Sequence, residues 1–303
     1  MRRNNGTTLA GMALAHNGSV EIYYETFGDP ADPTLVLVNG LGSQCINFRT
    51  EWCDRFAAKG FQVVRLDNRD VGLSTHFSDI TPDFAGLIAA LTAGESAEAP
   101  YTLSDMAADV VAVLDALGLE QAHVMGLSMG GMIVQTLAIE HPQRLRSMTS
   151  VMSTTGELDV GQSSPEARSR LFAPPATDRE SAIANHLAGL RIWGSPGKVD
   201  EQAQARFAGE AYDRAFDPAG VGRQIMAVTA SGSRADALAH VHIPTLVMHG
   251  SADTLIDPSG GRRTAELIPA ARFVLMEGMG HDYPQAYWDE WVDLVIDHAI
   301  AAN

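Results

Sequence analysis

The stretch that decides the fold is residues 122–131, AHVMGLSMGG, in which a short apolar run leads into a Gly-x-Ser-x-Gly pattern. The run Ala122–Leu127 predicts a strand buried on both faces, and Met129–Glu140 predicts a helix directly after it. Glycines flank Ser128 because the turn between strand and helix is so tight that a side chain at either position would meet neighbouring backbone. We therefore predict that Ser128 stands above a sheet edge, at a helix N-terminus, as a nucleophile.

A serine hydroxyl is a weak nucleophile until a base accepts its proton, so a histidine must lie close to it. The chain has ten histidines, and their positions distinguish them. His281 follows GMG (278–280) just beyond the last predicted strand, Phe273–Met276, where a loop can reach the serine. His249 ends the preceding strand and is expected to be a packed residue. His281 is therefore the predicted base.

A carboxylate is needed to hold the imidazole in the correct tautomer. Asp253 follows the predicted strand Pro244–His249 through GSA (250–252), which places it at the sheet edge beside the last strand. Asp257 is the alternative, but its Asp257-Pro258 context is typical of a helix N-cap. Asp253 is therefore the predicted acid.

The loop after the predicted strand Thr34–Val38 is the candidate for an oxyanion hole. Its sequence is NGLG (39–42), and the glycines allow the backbone to turn an amide toward the serine. We predict that the backbone N–H groups of Leu41 and Met129 donate to an oxyanion, with an ordinary strand-to-helix loop as the alternative interpretation.

Strand and helix patterns alternate along the chain, which favours an α/β fold with a mainly parallel sheet. Residues 19–27 alternate like an antiparallel edge strand. From 153 to 240 no strand pattern is found, and helical segments broken by proline and glycine take its place. An insertion between two strands of one sheet is better interpreted as a lid than as an independent domain. We predict one core domain, 1–152 and 241–303, with a helical cap at 153–240.

Five apolar or aromatic residues are predicted to line the substrate pocket, through the helix after Ser128, the cap and the histidine loop: Met132, Phe172, Trp193, Met226 and Tyr283. The alternative is that the cap residues form a small core of their own. An apolar pocket suits a hydrophobic acyl or alcohol group.

These motifs, in this order, make the chain resemble the α/β-hydrolase family over nearly its whole length from Ser19. The resemblance is carried by NGLG (39–42), DNRDVGLS (67–74), GLSMG (126–130), GSAD (250–253) and GMGH (278–281). The chain is also similar to the aclacinomycin methylesterase branch, which hydrolyses a methyl ester on a polyketide. This likeness is carried by GDPADP (28–33), RDVG (69–72), GLSMG (126–130) and Ile268-Pro269 leading to GMGH (278–281).

The resemblance implies an α/β-hydrolase fold, with a mostly parallel central sheet, helices on both faces and a helical cap. It also implies a triad of Ser128, Asp253 and His281, with the amides of Leu41 and Met129 as the oxyanion hole. One departure is Asn39-Gly40, where many relatives have His-Gly, and this leaves open the hydrogen bonding of the loop.

Composition excludes several other classes of protein. The chain has 21 basic and 37 acidic side chains, a net charge of −16, which disfavours nucleic acid, anionic membranes and polyanionic substrates. No apolar stretch has the length of a membrane span, and no third ligand accompanies His240 and His242, so no metal site is predicted. The two cysteines, Cys45 and Cys53, are expected to be reduced thiols in a cytoplasmic protein.

The predicted function is that of a serine esterase acting on carboxylic esters of neutral, hydrophobic small molecules, without metal or organic cofactor. A serine at position 128, in the turn between strand and helix, argues against haloalkane dehalogenases and epoxide hydrolases, which need an aspartate at that position. A lactonase, a carbon–carbon bond hydrolase and a cofactor-free perhydrolase stay open as alternatives, as does a non-enzymatic receptor on the same fold. The sequence does not decide between a monomer and a homodimer.

Overall fold

The computed structural model describes residues 10–93 and 98–302, which form one eight-stranded sheet with helices on both faces. Its strands are β1 (Ala10–Asn17), β2 (Val20–Phe27), β3 (Thr34–Val38), β4 (Gln62–Leu66), β5 (Ala122–Leu127), β6 (Leu145–Val151), β7 (Thr245–Gly250) and β8 (Arg272–Met276). The α-helices within the described residues are α1 (Thr50–Ala58), α2 (Phe84–Ala93), α3 (Leu103–Ala116), α4 (Met129–Glu140), α5 (Pro165–Leu171), α6 (Arg179–Trp193), α7 (Glu201–Arg214), α8 (Pro218–Ser231), α9 (Ala235–Leu238), α10 (Ser259–Leu267) and α11 (Trp288–Ala301).

The strand order is β1-β2-β4-β3-β5-β6-β7-β8. The two pairings at one end, β1 with β2 and β2 with β4, are antiparallel, and every later pairing is parallel. This confirms the predicted mostly parallel sheet. Because β3, β5, β7 and β8 run in one direction, the loops after them meet at a single sheet edge.

The expectation that residues 19–27 form the edge strand was wrong. β1 lies outside β2 and pairs with it from Asn17↔Val20 onward, so β1 is the edge. Its sequence, AGMALAHN, consists mostly of alanine, glycine and polar residues with weak strand preference, and its pairing with β2 rather than its own composition stabilises it.

Two apolar layers hold the sheet between the helices. Along β3, Val36 and Val38 pack into the layer that contains α3 and α4, whereas Leu35 and Leu37 pack into the layer that contains α1 and α11. Successive side chains of a strand point to opposite faces, so a continuous apolar strand such as β3 serves both layers.

Between β6 and β7 the described chain passes through helices α5 to α9 without a strand, as predicted for 153–240. Four of these helices begin at residues whose side chains accept hydrogen bonds from the first-turn amides, namely Ser164, Asp178, Asp200 and Asp217. Such caps stabilise helices that have little core of their own. Among the described residues, no helix combines the length and apolar character needed to cross a membrane.

A buried ion pair attaches this helical segment to the sheet. Arg223 of α8 is 1 % exposed and donates two hydrogen bonds, of 2.8 and 2.9 Å, to the carboxylate of Asp70 in the loop after β4. It donates a third, of 2.7 Å, to Asp217 at the start of its own helix. Tyr101 also donates to Asp70, at 2.7 Å.

We expect Arg223→Met to lower the free energy of unfolding by about 3–5 kcal/mol, because it leaves the Asp70 carboxylate buried without its cation. Urea unfolding of both proteins measures the difference. Arg263→Met is the control, since the Arg263–Glu157 pair is much more exposed and should be worth less than about 1 kcal/mol. Equal effects of the two substitutions would contradict the assignment of a strong buried pair.

Candidate active site

Ser128 lies in a strained turn between β5 and α4, with φ 55° and ψ −117°. The turn needs glycine on both sides: a Cβ on Gly126 would lie 2.0 Å from the Gly130 carbonyl oxygen, and one on Gly130 would lie 2.1 Å from that of Val38. These approaches confirm the predicted reason for the glycines. The amide of Ser128 donates to the Val151 carbonyl at 2.9 Å, which joins the turn to β6.

The structure brings together the three residues predicted for catalysis, from the ends of three different strands. His281 Nε2 lies 2.9 Å from Ser128 Oγ, and His281 Nδ1 lies 2.7 Å from Asp253 Oδ2. The other carboxylate oxygen of Asp253 accepts from the amides of Leu255 and Ile256, both at 2.9 Å. With Nδ1 donating to the carboxylate, Nε2 faces the serine as a proton acceptor.

Asp257, the alternative acid, is placed elsewhere. Its Oδ1 accepts the amide of Ser259 at 2.9 Å, at the beginning of α10. The N-cap position itself is Pro258, so Asp257 lies one residue before the expected N-cap, although its side chain does accept an amide at the start of the helix.

Two histidines surround the buried Asp253 carboxylate. His249 is fully buried, as predicted, but its Nε2 also lies 3.3 Å from Asp253 Oδ2 while donating to the Ile256 carbonyl at 2.8 Å. Burial alone raises the pKa of Asp253, but the charge of His281 and the hydrogen bond from His249 outweigh it and lower the pKa to about 2. Asp253 is therefore ionised at neutral pH.

The loop after β3 lies directly against the serine. A Cβ on Gly40 would be 3.1 Å from Ser128 Cβ and 3.7 Å from its Oγ, so the backbone of Gly40 and Leu41 passes close to the hydroxyl. Met129, the other predicted donor, is the first residue of α4. The N-terminus of a helix carries partial positive charge, which favours an oxyanion at this point.

The hydrogen bonding of the loop at Asn39, where many relatives have histidine, is defined by the structure. Its side chain donates to the Gln44 carbonyl at 2.9 Å and accepts from Asn47 at 3.0 Å, while its carbonyl accepts from Asn68 at 2.9 Å. Gln224 of α8 accepts the amide of Gly42 at 2.8 Å. Gln44 and Asn47 follow Asn39 within a few residues, whereas Asn68 and Gln224 come from another loop and a distant helix, and no local pattern indicates these two partners.

A cavity of about 780 Å³ opens above Ser128 and His281. Apolar and aromatic side chains from the sheet edge, from α6 and α7 and from the histidine loop form part of its wall, among them Leu41, Leu127, Leu190, Trp193, Phe207 and Tyr283. Charged side chains of both signs also face it, namely Arg49, Glu51, Lys198, Asp200, Arg206, Glu210 and Asp282. The volume is that of a site for a drug-sized molecule.

Two of the five predicted pocket residues, Trp193 and Tyr283, line this cavity, and three do not. Met132 is buried in the layer between the sheet and α3, because it lies on the inner face of α4. Met226 is 6 % exposed within α8, and Phe172 is 60 % exposed at the end of the short helix α5. For these three, the expectation of a place in the pocket was wrong.

A cluster outside the cavity has spacing compatible with a metal ion: Asp70, His76 and Asp217. The guanidinium of Arg223, however, lies within 2.8 Å of both carboxylates and supplies the positive charge that a cation would bring. Cys45 and Cys53 are both buried as free thiols, and burial raises the pKa of each.

Comparison with known proteins identifies the family of the chain. Residues 33–283 match the model of the alpha/beta hydrolase fold family, so the chain belongs to that family. It is 30 % identical over 308 residues to rhodomycin D methylesterase DauP of Streptomyces sp. strain C5, with 94 % of this chain and 96 % of the relative covered. Rhodomycin D methylesterase DnrP of Streptomyces peucetius is 29 % identical, with 95 % and 97 % covered.

Among solved structures, the enol-lactonase of Burkholderia xenovorans LB400 superposes with a TM-score of 0.72 at 24 % identity, over 95 % of this chain and all of the other. At this level of identity the likeness concerns the fold. The predicted resemblance to α/β hydrolases, and to methylesterases among them, is confirmed.

The lowered pKa of Asp253 predicts a pH dependence of stability. Its ordinary pKa of 3.8 falls to about 2 in the folded protein, so ionised Asp253 stabilises the fold above about pH 4, and this contribution is lost as the pH falls toward 2. The wild type should therefore lose about 2 kcal/mol more than Asp253→Asn between pH 5 and pH 2. Urea unfolding at a series of pH values measures this, and parallel curves for the two proteins would contradict it.

Proposed function

We propose that the protein is a carboxylic ester hydrolase that works through an acyl-enzyme, with Ser128 as nucleophile, His281 as general base and acid, and Asp253 as the orienting carboxylate. The observation that carries this proposal is the chain of two hydrogen bonds, 2.9 and 2.7 Å long, from Ser128 Oγ through His281 to Asp253. The serine end of this chain opens into the cavity.

In the first half of the reaction, Ser128 Oγ attacks the ester carbonyl carbon while His281 Nε2 takes the hydroxyl proton. The carbonyl oxygen becomes an oxyanion, which accepts hydrogen bonds from the amides of Leu41 and Met129. Asp253 stabilises the imidazolium that forms. His281 then returns the proton to the alkoxide oxygen, and the alcohol leaves.

In the second half, a water molecule replaces the alcohol. His281 accepts a proton from the water, whose oxygen attacks the acyl carbon, and the oxyanion forms at the same two amides. Collapse of this intermediate releases the carboxylic acid, and the proton on His281 returns to Ser128 Oγ. No step requires a metal or an organic cofactor.

The substrate proposed is the ester of a neutral small molecule with an apolar part. Two kinds of evidence support it: the two curated relatives described above are methylesterases, and aromatic and aliphatic side chains form much of the cavity wall. Helices α6 and α7 supply Leu190, Trp193 and Phe207 to that wall, which supports the interpretation of residues 153–240 as a cap over the core.

Ser128→Ala should leave a folded protein whose kcat toward a nitrophenyl ester is reduced roughly 10⁴-fold or more, because the nucleophile is gone. Steady-state kinetics and circular dichroism measure the two properties. Ser104→Ala is a matched control, since Ser104 lies on α3 and bonds to Glu140, away from the cavity. Full turnover by Ser128→Ala would exclude the proposed nucleophile.

Labelling with a serine-directed phosphonate separates an enzyme from a non-enzymatic receptor. We expect the wild type to be labelled once, at Ser128, and both Ser128→Ala and His281→Ala to be unlabelled, because an unactivated hydroxyl reacts slowly. Mass spectrometry of the peptides locates the adduct. Labelling of His281→Ala at the wild-type rate would show that His281 does not activate the serine.

A further inference from the structure

The last turn of α6 contacts both of the loops that carry the proposed catalytic acid and base. The carbonyl of Ile192 accepts a hydrogen bond from the hydroxyl of Thr254, at 2.9 Å, next to Asp253. The carbonyl of Trp193 accepts the amide of His281 at 2.6 Å. The backbone that holds the imidazole is thus bonded to a helix of the segment between β6 and β7.

Hydrogen bonds between Asp282 and Ser195 add to this contact between the histidine loop and the end of α6. Asp282, which directly follows His281, accepts at Oδ1 both the amide of Ser195, at 2.9 Å, and the Ser195 hydroxyl. The hydroxyl oxygen of Ser195 in turn accepts the amide of Gly280 at 2.9 Å. Ser195 is therefore bonded to the residues immediately before and after His281.

The histidine loop and the end of α6 pack so closely at Gly280 that no side chain fits between them. A Cβ on Gly280 would lie 2.4 Å from the Trp193 carbonyl oxygen and 2.5 Å from the Gly194 carbonyl carbon. Ser195 is 1 % exposed. Asp282 also lines the cavity above Ser128 and His281. Its Oδ1 accepts both donors of Ser195, and burial raises the pKa of its carboxyl. A partly buried carboxylate held by neutral donors costs stability, so its presence needs a reason.

We propose that Ser195 and Asp282 form a positioning clamp, which holds the His281 backbone on the end of α6 so that Nε2 stays aligned with Ser128 Oγ. This inference rests on the proposed function of His281. Ser195 bonds to the backbone amide of Gly280 on one side of the histidine and to the side-chain carboxylate of Asp282 on the other, so it positions the ring through the loop backbone. A displacement of about 1 Å between reacting groups can lower a rate about 100-fold, so a small shift of this loop is enough to affect catalysis.

The experiment compares Asp282→Ala, Ser195→Ala and Asp282→Asn with the wild type, using a nitrophenyl ester and the phosphonate as probes. Both alanine variants should lower kcat and the rate of phosphonate labelling by about 10- to 100-fold, with KM within about threefold of the wild type. Asp282→Asn keeps an oxygen that accepts both Ser195 donors, so it should retain kcat within about threefold. The double alanine variant should lose little more than either single variant, since the two residues act as one unit.

Glu201→Gln is the matched control. It weakens the exposed Arg191–Glu201 pair, which joins α6 to α7 near the same helix end, without touching the histidine loop. We expect unchanged kcat in this control, and thermal unfolding of every variant shows whether a loss follows from instability alone. If Asp282→Ala does not fold, Ser195→Ala decides the question, because it removes only one hydroxyl.

The clamp is excluded if kcat in both alanine variants stays within threefold of the wild type. It is also excluded if KM rises while kcat is unchanged, which would make Asp282 a substrate-binding residue, or if Asp282→Asn loses as much activity as Asp282→Ala. The proposed function fails differently: in that case the wild type neither turns over the ester nor is labelled at Ser128.

Discussion

The close approach of three backbone segments around Ser128 is the constraint on which the site depends. Gly126 and Gly130 allow the end of β5, the start of α4 and the end of β3 to lie within contact of one another, and a single Cβ at either glycine would meet a carbonyl group at 2.1 Å or less. The strained φ of Ser128 follows from this approach, since no relaxed turn joins strand and helix so closely. The same approach brings the loop after β3 against the serine. The position of the nucleophile and that of the predicted oxyanion donors are therefore consequences of one packing arrangement.

The parallel sheet then supplies the remaining groups. β7 and β8 end beside each other, and a Cβ on Gly250 would lie 2.1 Å from the Met279 carbonyl oxygen, so the acid loop and the histidine loop pack backbone to backbone. The amide of Ala252 donates to that carbonyl at 2.9 Å. These contacts fix the separation of Asp253 and His281 from within the core. The distance of the imidazole from Ser128 depends in addition on the end of α6, to which the histidine loop is bonded.

Much of this arrangement could be predicted because its signals are local. The glycines around Ser128, GSAD (250–253) and GMGH (278–281) are each short motifs, and their order along the chain indicates the serine, the acid and the histidine. The absence of a strand pattern after residue 152 is read from the sequence in the same way. β1 was missed because its composition carries little strand signal. Gln224 and Ser195 were missed because each bonds to a residue more than eighty positions away, and nothing in its neighbours indicates the partner. Phe172, Met132 and Met226 were misplaced because apolar character alone does not tell a pocket wall from a helix core or an exposed helix end. The role of 153–240 as a cap stays a prediction.

The charged side chains that face the cavity, more than the net charge of the chain, set the electrostatic environment of a bound substrate. The chain as a whole carries −16, yet Arg49, Lys198 and Arg206 face the cavity together with acidic residues, and Arg49 pairs with Glu210 at 3.0 Å. Charges on the far side of the protein are screened over about 8 Å at physiological ionic strength, so a bound molecule experiences mainly these nearby, nearly balanced groups. The distant acidic surface therefore contributes little to selection inside the cavity. We therefore expect the shape of the cavity and apolar contact with side chains such as Trp193 and Phe207 to determine which esters bind.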